Sequence, residues 1–354
     1  MKGRQVVLGR LWGREAAALM VDGRLEDLIL DPGALTPFAP GAILRGRVDR
    51  LVKGQGGVFL RLPDGARGFL RDVRGVSEGQ PLVVQVAGVA EAGKALPVTR
   101  RLLVRGRHVI ATPAAPGVNV SRSLRDEDRR AELTALGEAA LTGAPEDLGL
   151  ILRTAAAAAD DAEIAAEAAE LVALATALAT DTSGPAELLL DAPGPWEAAW
   201  RDWAEPPPDD VLEGSDAFVA SGAEDAVAAL LGPDVALSAG ASAAIEPTRA
   251  LVAIDVNTGP DTSPAAGLKA NIALARDLPR QLRLRGLGGQ VVIDFAPIPK
   301  RDRGTLDQVL RAAFRGDGGA TTLAGWTALG LYEISRKRER VPLARLAAAA
   351  EAAS

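Results

Sequence analysis

Two apolar runs near the C-terminal end, ALVAIDV (250–256) and QVVIDF (290–295), each close on an isoleucine-aspartate pair and then pass into loops carrying Asn, Gly or Pro. Between them, LKANIALARDLPRQLRLRGL (268–287) spaces its apolar residues as a helix does. Parallel strands cannot be joined by a tight turn, so strand, helical crossover and strand imply parallel neighbours. A second helix, RGTLDQVLRAAF, and a third strand, LGLYEIS, follow, and the region from about residue 237 to 354 reads as an α/β layer. Ligands of such sheets gather at the carboxyl ends of the strands, which sets Asp255 and Asp294 side by side. Period-two alternation puts Asn257 on the face of Asp255.

Two carboxylates and a carboxamide offer oxygen groups to a hard cation such as Mg²⁺, which keeps several waters and completes its shell from a phosphate. An aspartate closing a strand also caps turns, so the pattern by itself says carboxylate-metal site and no more. What the chain lacks narrows the chemistry. There is no cysteine, which removes thiol catalysis, disulfides and cysteine-held structural zinc. The single histidine, His108, leaves no two-histidine phosphodiesterase and no multi-histidine metal centre. No GxxxxGK phosphate loop is present, which counts against a nucleoside triphosphatase.

The net charge of −6 argues against a polyanionic partner until its distribution is considered. Residues 1–125 hold 20 Lys+Arg against 10 Asp+Glu, residues 126–245 hold 4 against 25, and residues 246–354 hold 16 against 11. Two basic ends flank an acidic middle, so a local footprint for nucleic acid survives. No window approaches the roughly twenty apolar residues of a membrane span, and the N-terminus has no signal-peptide core; a soluble, cytoplasmic protein with no membrane partner is expected.

Upstream, REAAALMVDGRLEDLIL (14–30) predicts two strands joined at Asp22-Gly23. From Gly41 to Thr99 come AILRGRVDRLV, GGVFLRL, ARGFLRDV and PLVVQVAGV, short β-type runs separated by glycines, which suggest a small closed barrel of the OB or S1 type. RHVIAT and GLILRT predict further strands, and SRSLRDEDRRAELTALGEAAL a helix with Ser123 ahead of its acidic first turn. Residues 155–180 predict a long Ala-rich helix of high propensity. The stretch PGPWEAAWRDWAEPPPDD predicts a boundary with an extended Pro spacer, its three tryptophans engaged in packing.

In order and spacing, ALVAIDVNTG, QLRLRGLGGQVVIDF and LGLYEISRKRER resemble the catalytic region of the ribonuclease E/G family. VDGRL, GAILRGRVDRLVKGQGGVFLRLPDGARGFL, EGQPLVVQV and GLILRTAA resemble its upstream part, leaving roughly 155–235 uncovered. The resemblance implies a mixed α+β and α/β multidomain protein. Its parts would be an N-terminal hairpin packing on the catalytic part (1–36), an S1-like OB barrel (37–101), a 5′-sensor-like region with the Ala-rich helix (102–185), a trimmed RNase H-like segment (186–236) and a catalytic α/β domain of DNase I-like and RNase H-like character (237–354).

The implied activity is Mg²⁺-dependent endonucleolytic cleavage of single-stranded RNA in rRNA and mRNA processing and decay, leaving 5′-phosphate and 3′-hydroxyl ends and favouring 5′-monophosphorylated substrates. Asp255 and Asp294 would hold the metal and Asn257 would position them or the phosphate. Arg153 and Thr154 match the family's 5′-phosphate grip, a guanidinium fork beside a hydroxyl. Phe59, Phe69 and Lys94 match its RNA-contacting positions, although barrel aromatics also serve as core. Arg283, Arg285, Arg336, Lys337 and Arg338 would neutralise backbone phosphates or be solvated.

The chain departs from the family pattern in having no Cys-Pro-x-Cys zinc link, so any oligomer would not be zinc-linked. It also carries Ala273 and Leu274 where Glu-Ala is usual, Arg249 in place of a glutamate, and a short acidic middle. An alternative reading is a catalytically silent RNA-binding protein that retains the fold; retention of Asp255, Asn257 and Asp294 together favours the enzyme.

Overall fold

The computed structural model describes residues 2–52, 56–72, 74–91, 93–317 and 319–353. Its contacts divide into two units, Met1–Leu35 with Asp209–Ser354 and Thr36–Pro208. The whole is mixed α+β.

The first unit opens with a meander, β1 (Arg4–Leu11), β2 (Arg14–Val21) and β3 (Arg24–Leu30). Asp22 and Gly23 both take positive φ (50° and 76°), as a tight hairpin turn requires. A strand more than the expected pair is present, because Trp12-Gly13 makes a second left-handed turn (φ 52° and 72°) that no Asn-Gly or Asp-Gly signal announces.

The second unit begins with β4 (Ile43–Val52), β5 (Gly57–Arg61), β6 (Arg67–Leu70), β7 (Pro81–Val86) and β8 (Leu96–Thr99). They pair in the order β4-β5-β6-β8-β7 and β7 returns to β4, giving a closed five-stranded barrel. Val48, Val58, Leu60, Val84 and Val98 fill its interior. Next come β9 (Val104–Arg105), β10 (Val109–Thr112), β11 (Gly117–Val120), α1 (Glu127–Ala140), β12 (Gly149–Leu152), α2 (Asp161–Thr180), β13 (Glu187–Leu190) and α3 (Pro195–Trp203). β11-β12-β10-β9 form a small sheet whose core is shared with α1 and α2, and β13 adds to the barrel edge at β4.

One local expectation is corrected by the structure. The cap of α1 is Asp126, whose carboxylate accepts from the Arg129 amide, and not Ser123, which lies a turn too early. Within the boundary stretch PWEAAWRDW forms a helix, because Pro195 sits in the first turn where its missing N–H has no partner to lose, and the Pro run that follows it, residues 206–208, is non-helical. Of the tryptophans on that helix, Trp203 is buried while Trp196 and Trp200 are exposed.

The first unit resumes with β14 (Asp210–Glu213), which pairs parallel to β1, then α4 (Ala217–Ala220) and α5 (Ala223–Ala229), which pack on the meander. β15 (Asp234–Ala236), β16 (Ser242–Pro247), β17 (Val252–Asn257), α6 (Pro264–Leu284), β18 (Gly289–Asp294), α7 (Arg303–Arg315), β19 (Thr321–Trp326), β20 (Tyr332–Arg336) and α8 (Leu343–Glu351) complete the chain. The sheet order is β15-β16-β17-β18-β20-β19. β17 and β18 are parallel across the α6 crossover, whereas β16 and β20 run antiparallel to them, so the layer is mixed and not a uniform parallel sheet. Helices α6 and α7 share a core with one face of this sheet through Leu274, Leu278, Leu282, Leu306 and Leu310.

Candidate active site and candidate nucleic-acid interface

Register brings Asp255 and Asp294 together. β17 and β18 pair Val252 with Val291, Ile254 with Ile293, and Asp255 with Asp294. Neighbouring strands stand about 4.8 Å apart, and partners in register share a face. The apolar positions Val252, Ile254, Val256, Val291 and Ile293 are buried, while Asp255, Asn257 and Asp294 are exposed on the opposite face. The amide of Asn257 donates from Nδ2 to Asp255 Oδ2 at 2.7 Å, two residues along the same face. Among the described residues no cation pairs with either carboxylate.

A buried group fixes the chain just beyond Asp294. Asn271 on α6 is fully buried; its Nδ2 donates to the Ala296 carbonyl at 2.9 Å and its Oδ1 accepts from the Ala296 amide at 3.0 Å. Gly267, one turn earlier, lets α6 approach the same loop, since a Cβ there would stand 2.8 Å from the Pro297 carbonyl. Behind the sheet, Phe295, Trp326 and Tyr332 form an aromatic cluster in which Tyr332 meets both other rings edge-to-face. Burial first, and then the hydrogen bond to Asp307, push the Tyr332 phenol well above its ordinary range.

Glu333 on β20 is an acid that the sequence argument passes over. It pairs with Val292 across β18, so it lies on the open face, diagonal to Asp294. The alternation of LYEIS is the signal that finds it. Even so, among the described residues no three His, Asp or Glu side chains stand close enough to hold one ion. A cation at Asp255 and Asp294 would therefore take most of its shell from water and phosphate. That is the habit of Mg²⁺, so the donor set fits it.

The basic residues separate into two kinds. Arg285 is buried and donates to the carbonyls of Leu230 (2.8 Å), Gly232 and Asp234 (3.4 Å) and to Gln281. Arg283 holds Glu26, Asp27 and the buried Asp317, and Arg336 holds Asp317 and Thr321. These three brace the fold with donors that a phosphate would need. Lys337 is exposed beside Glu339 at 3.7 Å, and Arg338 is half-buried with its guanidinium close against Gly289.

On the barrel, Phe59 and Phe69 are cross-strand partners with ring centroids 5.4 Å apart. Val58, Leu60 and Leu70 point inward, so the two rings lie outside, half-exposed, with Arg61 and Arg67 on the same face. The Arg67 guanidinium sits 4.7 Å over the Phe59 ring and that of Arg50 sits 5.5 Å away. Gly57 leaves room for Phe69, whose ring a Cβ there would meet at 2.3 Å. Lys94 is exposed and paired with Glu91.

Arg153 and Thr154 line a cleft of about 320 Å³ together with Ser121, Ile151, Ala155, Arg201, Asp202 and Glu205. Thr154 and Ser121 share a hydroxyl hydrogen bond of 2.8 Å. Arg153 donates from Nη1 to the carbonyls of Gly106 (2.7 Å), Arg107 (3.2 Å) and Arg201 (3.2 Å) and from Nη2 to Asp202 (2.7 Å). Asp202, which no sequence motif singles out, reaches the cleft from α3. His108 is buried with Nδ1 3.0 Å from Glu167 of α2, whose carboxylate also accepts from the His108 and Val109 amides, and its carbonyl accepts from the Arg153 amide at 2.7 Å.

Comparison with known proteins gives this geometry a context. A model of the ribonuclease E/G family matches residues 104–212 and 210–339. Ribonuclease E of Nostoc sp. is 27% identical over 383 residues, covering 92% of this chain and 54% of the relative. Ribonuclease G of Escherichia coli strain K12 is 27% identical over 368 residues, 85% of this chain and 73% of the relative. Ribonuclease G of Haemophilus influenzae is 27% identical over 385 residues, 92% and 78%. The chain thus spans about half the length of the Nostoc relative and about three quarters of the other two. With the family model covering most of the sequence, and the matched span containing both aspartates, the chain belongs to the ribonuclease E/G family.

Proposed function

We propose that this protein is a Mg²⁺-dependent endoribonuclease that cuts single-stranded RNA, leaves 5′-phosphate and 3′-hydroxyl ends, and serves RNA processing and decay in the cytoplasm. The observation that carries the reading is the register of Asp255 with Asp294 on an open sheet face. Like charges side by side without a counter-cation are unfavourable for folding, and their presence makes sense where a divalent ion is to be held.

Asp255 and Asp294 hold the ion, and Asn257 keeps the Asp255 carboxylate oriented through its amide. When bound, Mg²⁺ supplies Lewis-acid polarisation of the phosphoryl oxygen and lowers the pKa of water. The tether from Asn271 to Ala296 holds the backbone after Asp294, so the carboxylate is pre-positioned rather than ordered by substrate. Phe59 and Phe69 offer stacking faces for bases without sequence preference, and Arg50, Arg61 and Arg67 attract the backbone. The cleft at Arg153 and Thr154 has the chemistry of a terminal-phosphate site, two guanidinium groups beside two hydroxyls.

The test is incubation of a short A/U-rich, 5′-monophosphorylated oligoribonucleotide with purified protein, with Mg²⁺ or with a chelator, next to Asp294→Asn. Cleavage is expected only for the parent protein with Mg²⁺. Equal cleavage by Asp294→Asn, or cleavage that survives the chelator, overturns the reading, and RNA binding without any cleavage leaves the silent RNA-binding alternative.

A further inference from the structure

The cleft around Arg153 already contains an anion. Of the two terminal nitrogens of Arg153, Nη1 is held by three main-chain carbonyls, and Nη2 meets the Asp202 carboxylate at 2.7 Å. Arg201 grips that carboxylate as well, with Nη2 at 2.7 Å and Nε at 3.2 Å. Burial by itself would raise the Asp202 pKa. The hydrogen bond and charge of Arg201, and then those of Arg153, overcome it and hold the group below its ordinary value, so it is ionised at neutral pH. Glu205, on the rim, is paired with Arg107 at 2.8 Å. Two arginines and two acids line the cleft, which is formally neutral.

We infer that Asp202 is a specificity-determining residue: its carboxylate occupies the guanidinium groups that an RNA 5′-phosphate would require, and so sets the end preference of the cleft. This rests on the reading of the cleft as a 5′-end site. An incoming dianionic phosphate has to displace Asp202 from both arginines, whereas a 5′-hydroxyl end displaces nothing charged. Preference for 5′-monophosphate is therefore muted in the parent protein and unmasked when the internal anion is neutralised. Asparagine at position 202 keeps the volume and one acceptor while removing the charge, which makes it the informative change.

The experiment measures equilibrium binding of one oligoribonucleotide bearing either a 5′-monophosphate or a 5′-hydroxyl, in chelator, so that cleavage plays no part. The parent protein, Asp202→Asn, Asp202→Ser, Arg153→Ala and the double variant Arg153→Ala/Asp202→Asn are compared, with thermal unfolding checking each fold. The expected ratio of affinities is near one for the parent and rises about tenfold in Asp202→Asn, the gain of one charge-assisted contact. It returns to near one in the double variant. Asp202→Ser should follow Asp202→Asn, and it carries the test should the asparagine variant not fold. A ratio unchanged by either substitution, while Arg153→Ala lowers it, overturns the role of Asp202 and leaves the phosphate site standing. A ratio of one in all five proteins removes the phosphate site itself, and the role of Asp202 with it.

Discussion

Asp255 and Asp294 are direct register partners on adjacent parallel strands, both on the face of the sheet turned away from α6 and α7. Neither is paired with a cation among the described residues, so neither carboxylate ties the fold together through an ion pair. Asp255→Asn and Asp294→Asn are therefore expected to abolish cleavage while leaving thermal stability unchanged or slightly raised. Activity assays beside melting curves in chelator check both halves; a large loss of stability would mark the pair as structural.

Asn271 acts on the same strand end from the inside. Its amide substitutes for a neighbouring peptide, satisfying both the N–H and the carbonyl of Ala296. Asn271→Ala leaves two buried main-chain groups without partners, at about 1–3 kcal/mol each, so a loss of roughly 2–4 kcal/mol is expected. Denaturant unfolding measures it, and cleavage at a temperature where the variant is folded should still fall, because the loop after Asp294 is no longer held.

The parallel aspartate pair was legible because strand alternation is a local property: once two runs ending in Ile-Asp flank a helix, register and face follow. Antiparallel neighbours β16 and β20 were less so, since AAIEPTRALVAIDV reads as one strand region unless the Thr248 turn, closed by its own hydroxyl to Leu251, is recognised. Nothing local announces that Arg285 is buried under Leu230 and Gly232, or that Asp202 meets Arg153. Those pairings depend on tertiary placement, and charge alone cannot tell a brace from a binding group.

That distinction is testable in the basic set. Arg285→Ala would strand the carbonyls of Leu230 and Gly232, and a loss of about 2–3 kcal/mol of stability is expected with RNA affinity of the folded protein unchanged. Lys337→Ala should do the reverse, leaving the melting curve alone and weakening RNA binding by a small, salt-dependent factor. Filter binding at two salt concentrations separates them.

Acid should loosen the first unit through Asp277. Burial raises the pKa of this carboxyl, but the hydrogen bonds of Arg280 and Gln281 and the charges of Arg280 and Arg24 outweigh it, and the net direction is down from the ordinary 3.8. A depressed folded pKa contributes stability that is complete above the unfolded value and is lost as pH falls through the folded one. The parent should thus lose stability below about pH 4 more steeply than Asp277→Asn, which starts lower at pH 7 and shows a flatter profile. Urea midpoints from pH 7 down to pH 3 report both slopes.

Phe59 and Phe69 offer the cleanest separation of binding from chemistry, because they stand outside the barrel core and on a different unit from Asp255 and Asp294. Base stacking contributes about 1–3 kcal/mol per ring, so Phe59→Ala should weaken single-stranded RNA binding by roughly 5- to 150-fold. Arg67 lies over the Phe59 ring, and Arg67→Ala should weaken binding less and mainly at low salt, since its role is a screened charge beside the ring. Cleavage at saturating RNA should be close to the parent rate in both, with the loss appearing in KM. A fall in kcat at saturation instead would mean that the barrel surface does more than capture its ligand.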